Sequence, residues 1–207
     1  GSVLIQIFTG VCDKLSINQL LSHLTFFLPH AHIIGATSGG EIEGGNVSDG
    51  QTLLSFSVFE DTIIQTHEAS GDFHTDTIAK NITKTVQPQD LQSIISFTTG
   101  RDVDSASFLD HLSALDTAVS GGVAVGDENF ENAYVFTHNK VISNGAVAVS
   151  LHSKSLHVNI ASSFGWEAMG KPLAVTKASG KIVHTIDDTP VQTLYQNYFG
   201  EDIVNLL

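Results

Sequence analysis

The chain repeats one order of segments, and this repeat restricts the folds that it can adopt. The stretch IQIFTG at 5–10 resembles IISFTTG at 94–100, and each reads as a buried strand that ends at a glycine. Helical spacing follows each strand, and then come a second strand, a glycine-rich turn and an alternating pair of strands. We therefore expect an α/β fold with two pseudo-repeated halves, 3–89 and 90–207, in the order strand, helix, strand, hairpin. Each half would be a mixed β-sheet with one or two helices.

Periodicity and capping residues predict the helices. Ser16 is the expected N-cap of the first helix, which ends before Pro29. The last helix is expected to be capped by Asp188 or Thr189 and stopped by Gly200. Two further helices are predicted over residues 76–86 and 105–116.

Alternating apolar residues predict the paired strands of each half and of the C-terminal segment. Such alternation with a polar turn indicates a hairpin. Hairpins are therefore expected to turn at Glu60-Asp61, Ser153-Lys154 and Ser179-Gly180. We expect Gly1-Ser2 to be a remnant of tag removal, which carries no information about the fold.

Charge and cysteine content restrict the partners and the compartment. The formal net charge is −13, and the nine Lys and Arg residues are scattered along the chain. Nucleic acids and anionic membranes both bind clustered basic residues, so neither is expected as a partner. A single cysteine excludes an internal disulfide and favours a reducing compartment, so we expect a cytoplasmic location.

Two glycine-rich turns share one layout. Gly35 and Gly121 each stand five residues before a second glycine, and an acid, Glu41 or Asp127, follows that glycine directly. Successive free N–H groups in such a turn can bind an anion, and the adjacent carboxylate attracts a cation. The turn therefore suits a zwitterion such as an amino acid, whereas the simpler alternative is a tight turn with a solvated acid. The candidate ligand-binding residues are Gly35, Thr37, Ser38, Gly39, Gly40, Glu41, Gly121, Gly122, Gly126, Asp127 and Trp166.

Other reactive residues form no recognisable catalytic signature. The sequence has no Walker A motif, no G-x-G-x-x-G fingerprint and no G-x-S-x-G elbow, so no catalytic residue is predicted and an enzyme is not expected. Cys12 reads as a buried or incidental thiol, and Trp166 as either a core anchor or a ligand stacker. The ten histidines leave haem or metal ligation open, because one histidine suffices as an axial ligand of haem.

The order and content of these segments resemble the FIST domain, a sensory module of bacterial signalling proteins. The resemblance covers nearly the whole chain, as one N-terminal FIST region over 3–207. Its carriers are IIGATSGGEI, FSVFEDT, SGGVAVGD and the long stretch FGWEAMGKPLAVTKASGKIVHTIDDTPVQTLYQNYFG. The family's second glycine turn usually reads close to G-G-x-A-G-D, whereas here Val125 stands between Ala124 and Gly126.

The resemblance implies sensing and not catalysis. FIST domains serve as inputs to diguanylate cyclases, chemotaxis receptors and histidine kinases, so a signalling output domain in the same or a partner chain is implied. Amino acids have been proposed as ligands of the family, and some members resemble haem-binding nitric oxide sensors. Three alternatives therefore stay open: a small-ligand sensor without a cofactor, a haem-based gas sensor, and a ligand-free interaction module that forms a homodimer or docks to a partner.

Overall fold

The computed structural model of the protein describes residues 1–71, 74–100, 103–127, 131–161, 167–168, 170–180 and 182–200. Its internal contacts separate two compact units, Gly1–Ala161 and Ser162–Leu207. The described residues form four helices and mixed β-sheets, so the predicted α/β class is confirmed. No helix in this described part is long and apolar enough to span a bilayer.

The first unit contains eleven described strands and three described helices. In chain order they are β1 (Ser2–Thr9), α1 (Lys14–Phe27), β2 (His32–Thr37), β3 (Glu41–Glu43), β4 (Asn46–Ser48), β5 (Thr52–Phe59), β6 (Ile63–Ser70), α2 (Thr75–Thr83), β7 (Leu91–Thr99), α3 (Ser105–Ser113), β8 (Ala118–Ala124), β9 (Val135–Thr137), β10 (Val141–Ile142) and β11 (Gly145–His152).

Two sheets hold most of these strands. The first has the order β10-β9-β2-β1-β5 and the second has the order β6-β11-β7-β8, while β3 and β4 form a small separate ribbon. In the first sheet β1 runs parallel to β2 and antiparallel to β5. In the second sheet β7 runs parallel to β8 and antiparallel to β11. Each sheet therefore contains one strand–helix–strand unit with an antiparallel strand beside it, which supports the predicted duplication without proving it.

The two sheets pack face to face with helices on their outer faces. A central cluster joins the sheets and includes Leu4, Ile34, Ala36, Phe97, Val135, Val147 and Val149. The cluster between the first sheet and α1 includes Ile5, Ile7, Ile17, Leu21, Ile33 and Phe136. The cluster between the second sheet and the helices α2 and α3 includes Ile78, Ile82, Ile94, Phe108, Leu112, Ala146 and Ala148. The first unit is thus a four-layer sandwich of helix, sheet, sheet and helix, as amphipathic helices and sheets require.

The predicted hairpin at Glu60-Asp61 is wrong. Strand β5 pairs with β1 in the first sheet, whereas β6 pairs with β11 in the second. The polar turn therefore carries the chain from one sheet to the other. Alternation identifies strands with one buried face, but it does not identify the strand with which each one pairs.

The predicted hairpin at Ser153-Lys154 is also wrong. Strand β11 lies between β6 and β7, so both of its edges are already hydrogen-bonded. Residues 153–161, which follow it, form no strand. A strand that is buried on both edges leaves no row of backbone groups for its successor in the chain.

The first helix begins earlier than predicted. Its N-cap is Asp13 and not Ser16. Oδ2 of Asp13 accepts hydrogen bonds from the Ser16 amide at 2.8 Å and from the Ser16 hydroxyl at 2.7 Å. An aspartate in this position satisfies amide groups that have no partner within the helix. The helix ends at Phe27, before Pro29, as expected.

The second unit is small in its described part. It contains β12 (Val175–Ser179), β13 (Ile182–Ile186), β14 (Thr189–Pro190) and α4 (Val191–Phe199). The predicted hairpin at Ser179-Gly180 is confirmed, and Gly180 has a φ of 55°. The predicted cap of α4 is wrong, because Pro190 occupies the N-cap position without a side-chain hydrogen bond. Gly200 ends the helix with a φ of 89°, as expected.

Candidate functional site

A cavity of about 490 Å³ lies between the two sheets, near the carboxyl ends of their parallel strands. The rings of Phe8 and Phe97 meet edge to face in its wall, with centroids 5.5 Å apart. The described residues that line it come from both sheets and from the turns that follow β2 and β8. They are Gln6, Phe8, Ala36, Thr37, Ser38, Gly39, Ile95, Phe97, Ser120, Gly121, Gly122, Val123 and Val125.

The cavity brings the two glycine turns together. Of the predicted ligand residues, it is lined by Thr37, Ser38, Gly39, Gly121 and Gly122. The turns also bond to each other, because the amide of Val125 donates a hydrogen bond to the carbonyl oxygen of Thr37 at 3.0 Å. The predicted residues that are not in the described lining are Gly35, Gly40, Glu41, Gly126 and Asp127.

Several of the glycines are needed for packing. A side chain at Gly35 would clash with the ring of Phe136, which lies against it in the cluster under α1. A side chain at Gly121 would clash with the Ser96 carbonyl oxygen, and Gly121 has a φ of 149°. By contrast, a Cβ atom at Gly122 would meet no other atom within 4 Å. Gly35 and Gly121 therefore have structural reasons to be present, whereas the space beside Gly122 is open.

Glu41 is buried but connected to the cavity through Ser38. Only 3% of the Glu41 surface is exposed. Its Oε1 accepts a hydrogen bond from the Ser38 hydroxyl at 2.6 Å, and its Oε2 accepts one from the Gln51 amide at 3.1 Å. Within the described ranges, no basic side chain lies at ion-pair distance from this carboxylate. Ser38 itself lines the cavity, so a molecule there can reach the Glu41 charge through one hydroxyl group.

Asp127 uses its carboxylate in a different way. Oδ1 accepts a hydrogen bond from the Glu131 amide at 3.0 Å, and Oδ2 accepts one from the Asn132 side chain at 2.7 Å. The Asp127 amide in turn donates to the Glu131 carbonyl oxygen at 2.8 Å. The acid of the second turn thus binds Glu131 and Asn132, and the two matched acids have different local roles.

Both acids act on one thiol. Burial raises the pKa of the Cys12 thiol, and the negative charges of Asp127 and Glu41 raise it further. The two carboxylates therefore lie close enough to the same point to produce a negative potential there. The thiol stays protonated near neutral pH, whereas a cysteine nucleophile needs a lowered pKa.

The remaining candidates give no metal centre. In the part of the chain that the structure describes, no group of three or more His, Cys, Asp or Glu residues could hold a metal ion. His67 and His152 are buried, and both ring nitrogens of each lie within hydrogen-bond distance of a partner. Trp166 lies outside the described residues.

Sequence reasoning missed the walls of the cavity. The omitted residues are Gln6, Phe8, Ala36, Ile95, Phe97, Ser120, Val123 and Val125. A usable signal was present, because Phe8 and Phe97 occupy matching places in the repeated strands IQIFTG and IISFTTG. Residues at matching places in two sheets that pack face to face can meet in the interior.

An α/β sandwich with a small cavity between its sheets has the architecture of a ligand-binding domain. The FIST N domain model matches residues 3–189, and the chain belongs to this family of sensory domains. The resemblance inferred from the sequence is thereby confirmed. A search of curated proteins finds no match to the chain.

Proposed function

We propose that this chain is the small-ligand-binding input domain of a bacterial signalling protein, and that an amino acid or related metabolite binds in the cavity between the sheets. One observation carries the proposal: both glycine turns line the same cavity, and Ser38 connects that cavity to the buried Glu41 carboxylate. The domain would act by binding and not by catalysis.

The buried carboxylate favours a ligand that bears an amine. A buried charge is costly unless it is paired or hydrogen-bonded, and Glu41 has two hydrogen bonds but no basic partner among the described residues. The single hydrogen of the Ser38 hydroxyl points to Glu41, so the lone pairs of Ser38 Oγ are free to accept from a ligand N–H. An ammonium group bound there would sit one hydroxyl away from the Glu41 charge.

The other wall of the cavity suits a carboxylate. Strand β8 has only β7 as a described neighbour in its sheet, so alternate amides along its other edge have no partner in that sheet. Gly121 and Gly122 lie on this strand and line the cavity, and the absence of a side chain at Gly122 lets a ligand approach the backbone. The described lining carries no formal charge, so backbone amides would bind the anionic end.

The link to signalling would be a shift between two conformations of the domain. A ligand shifts such an equilibrium only if it binds one conformation more tightly than the other. A cavity with one wall on each sheet meets this requirement if the distance between the sheets differs between the two states. The output domain, in the same or a partner chain, would respond to that change, and a homodimer is compatible with it.

Thermal unfolding with a panel of amino acids tests the proposal. A ligand at about 100 times its Kd adds about 2.7 kcal/mol of stability, which raises the Tm of a chain of this size by about 5–11 °C. Glu41→Gln removes the charge and should abolish this shift, and Ser38→Ala should weaken it. The matched control is Glu43→Gln, which changes an exposed acid of the same ribbon and should bind as the wild type does.

Two outcomes would count against the proposal. If no amino acid or related metabolite in the panel shifts the Tm, the proposed ligand class is wrong. If a ligand shifts wild type and Glu41→Gln equally, the cavity does not use the buried charge. The Tm of each variant without ligand, measured first, separates loss of binding from loss of folding.

A further inference from the structure

Val125 joins the two glycine turns at the cavity. Its amide donates to the Thr37 carbonyl oxygen at 3.0 Å. Its Cγ1 atom lies only 3.3 Å from the position that a Cβ atom on Gly39 would occupy. Val125 and Gly39 both line the cavity, and Val125 is 40% exposed. One residue of the second turn therefore bonds to the backbone of the first turn and covers its glycine.

We propose that Val125 closes the cavity over Gly39 and sets the length of the ligand that the cavity accepts. This inference rests on the proposed function, because it assigns a selectivity residue to the same site. The valine methyl groups occupy the space that Gly39 leaves empty, so they take volume that a longer ligand would need. Since the side chain is also partly exposed, it stands at the boundary between the cavity and solvent.

The rest of the sheet interface explains why this contact is important. At the β6 side of the sandwich, side-chain hydrogen bonds cross between the sheets. They join Thr66 to His32, Glu68 to Thr137, and Ser70 to Lys140. At the cavity, the described hydrogen bond between the two turns is the one from Val125 to Thr37. The cavity side is thus held by fewer polar contacts, and Val125 supplies one of them.

Val123 provides a matched control. It also lines the cavity and is 44% exposed. Its Cγ1 atom lies 2.6 Å from the position that a Cβ atom on Gly100 would occupy, so it packs at the end of its own sheet. Valine to alanine removes the same atoms at either position. Only the change at Val125 removes the contact with the first turn.

The first experiment measures affinity along a series of straight-chain L-amino acids, namely alanine, 2-aminobutyrate, norvaline and norleucine, by calorimetric titration. Val125→Ala should improve binding of the longest member relative to the shortest by about tenfold, which is the scale of discrimination for an added methylene in an apolar pocket. Val123→Ala removes the same atoms from the cavity wall but keeps the contact between the two turns, so it should change the same ratio less than Val125→Ala does. Equal changes in the two variants would overturn the inference.

The second experiment tests the contact without any ligand. Hydrogen exchange of the Val125 amide should be slow in the wild type and faster in Gly39→Ala, because the new methyl group would lie 3.3 Å from Cγ1 of Val125 and push this side chain away from the first turn. Gly122→Ala places its methyl group in open space and should leave this rate unchanged. Fast exchange in the wild type would refute the closing contact.

The two experiments separate the possible failures. If no member of the series binds the wild type or either variant, the ligand class of the proposed function fails, and the selection of ligand length fails with it. The exchange measurement still decides whether Val125 closes the cavity. If the wild type binds members of the series and Val125→Ala keeps the same length preference, the inference about Val125 is refuted and the proposed function is not.

Discussion

The burial of His67 predicts a defined loss of stability on mild acidification. Its side chain lies in β6, and the residue is 5% exposed. Its Nδ1 lies 2.8 Å from the Thr85 hydroxyl and its Nε2 lies 2.8 Å from the Ser150 hydroxyl. Burial, and secondly the charge of nearby His152, lower the pKa of His67 to about 4. The imidazole therefore stays neutral in the folded protein at pH values where an unfolded chain would protonate it.

The direction of the change in stability with pH follows from the lowered pKa of His67. Because the unfolded chain binds this proton more tightly, the stability from a neutral His67 is complete above about pH 6.5 and is lost as the pH falls toward 4. With a pKa of about 6.5 in the unfolded chain and about 4 in the folded one, the loss between pH 7 and pH 5 is about 2 kcal/mol. For a chain of this size, that loss lowers the Tm by about 4–8 °C.

Urea unfolding at pH 7 and pH 5 measures this loss. His67→Gln retains hydrogen-bonding groups but does not titrate. Between the two pH values, the free energy of unfolding of this variant should therefore fall by about 2 kcal/mol less than that of the wild type. His23→Gln changes an exposed histidine of α1 and should behave as the wild type does. The reasoning is refuted if His67→Gln keeps the full pH dependence of the wild type, or if the His67 ring titrates near pH 6.5 by NMR.

Two further predictions concern a glycine and the thiol. Gly35→Ala should lower the free energy of unfolding in urea by about 1–3 kcal/mol, because its methyl group would clash with the Phe136 ring. Gly122→Ala should change this free energy by less than about 0.5 kcal/mol. Equal losses in the two variants would contradict the packing explanation. The Cys12 thiol should react slowly with iodoacetamide at pH 7, and Asp127→Asn should lower the pH midpoint of the reaction, because it removes a charge that raises the thiol pKa. An unchanged midpoint would show that the Asp127 charge does not act on the thiol.

Local elements of the fold could be predicted from the sequence, but the pairing of strands could not. The strands at Ser2–Thr9 and His32–Thr37 and the helix between them follow from short-range periodicity and stop signals. The partner of β5 depends on which sheet each strand joins, and that choice rests on contacts between residues far apart in the chain. For this reason the predicted hairpin at Glu60-Asp61 is wrong, because β5 and β6 join different sheets, and the one at Ser153-Lys154 is wrong, because both edges of β11 are already paired.

The candidate site, too, could be predicted only where it depends on residues close together in the sequence. The glycine turns could be predicted because each is a contiguous stretch with a defined chemistry. The hydrogen-bond partners of the two acids could not be predicted. Glu41 accepts a hydrogen bond from Ser38, whereas Asp127 accepts one from the Glu131 amide. Val125 looked like an interruption of the family pattern, and only the folded chain brings its amide to Thr37.

The two glycine turns have the same layout but present different chemical groups to the cavity. A ligand with two chemically different ends would need such a difference. Two glycine turns of one layout lie on the two walls of one cavity, and equivalent turns alone would favour a symmetric ligand. Here the carboxylate of Glu41 reaches the cavity through a hydroxyl, while that of Asp127 is engaged by its own loop and leaves Gly121 and Gly122 as the groups facing the cavity. One wall therefore offers negative charge and the other offers backbone amides at the edge of a strand. In the proposed function, the amine and the carboxylate of an amino acid would bind these two walls in turn, and such a ligand would favour whichever conformation of the domain it binds more tightly.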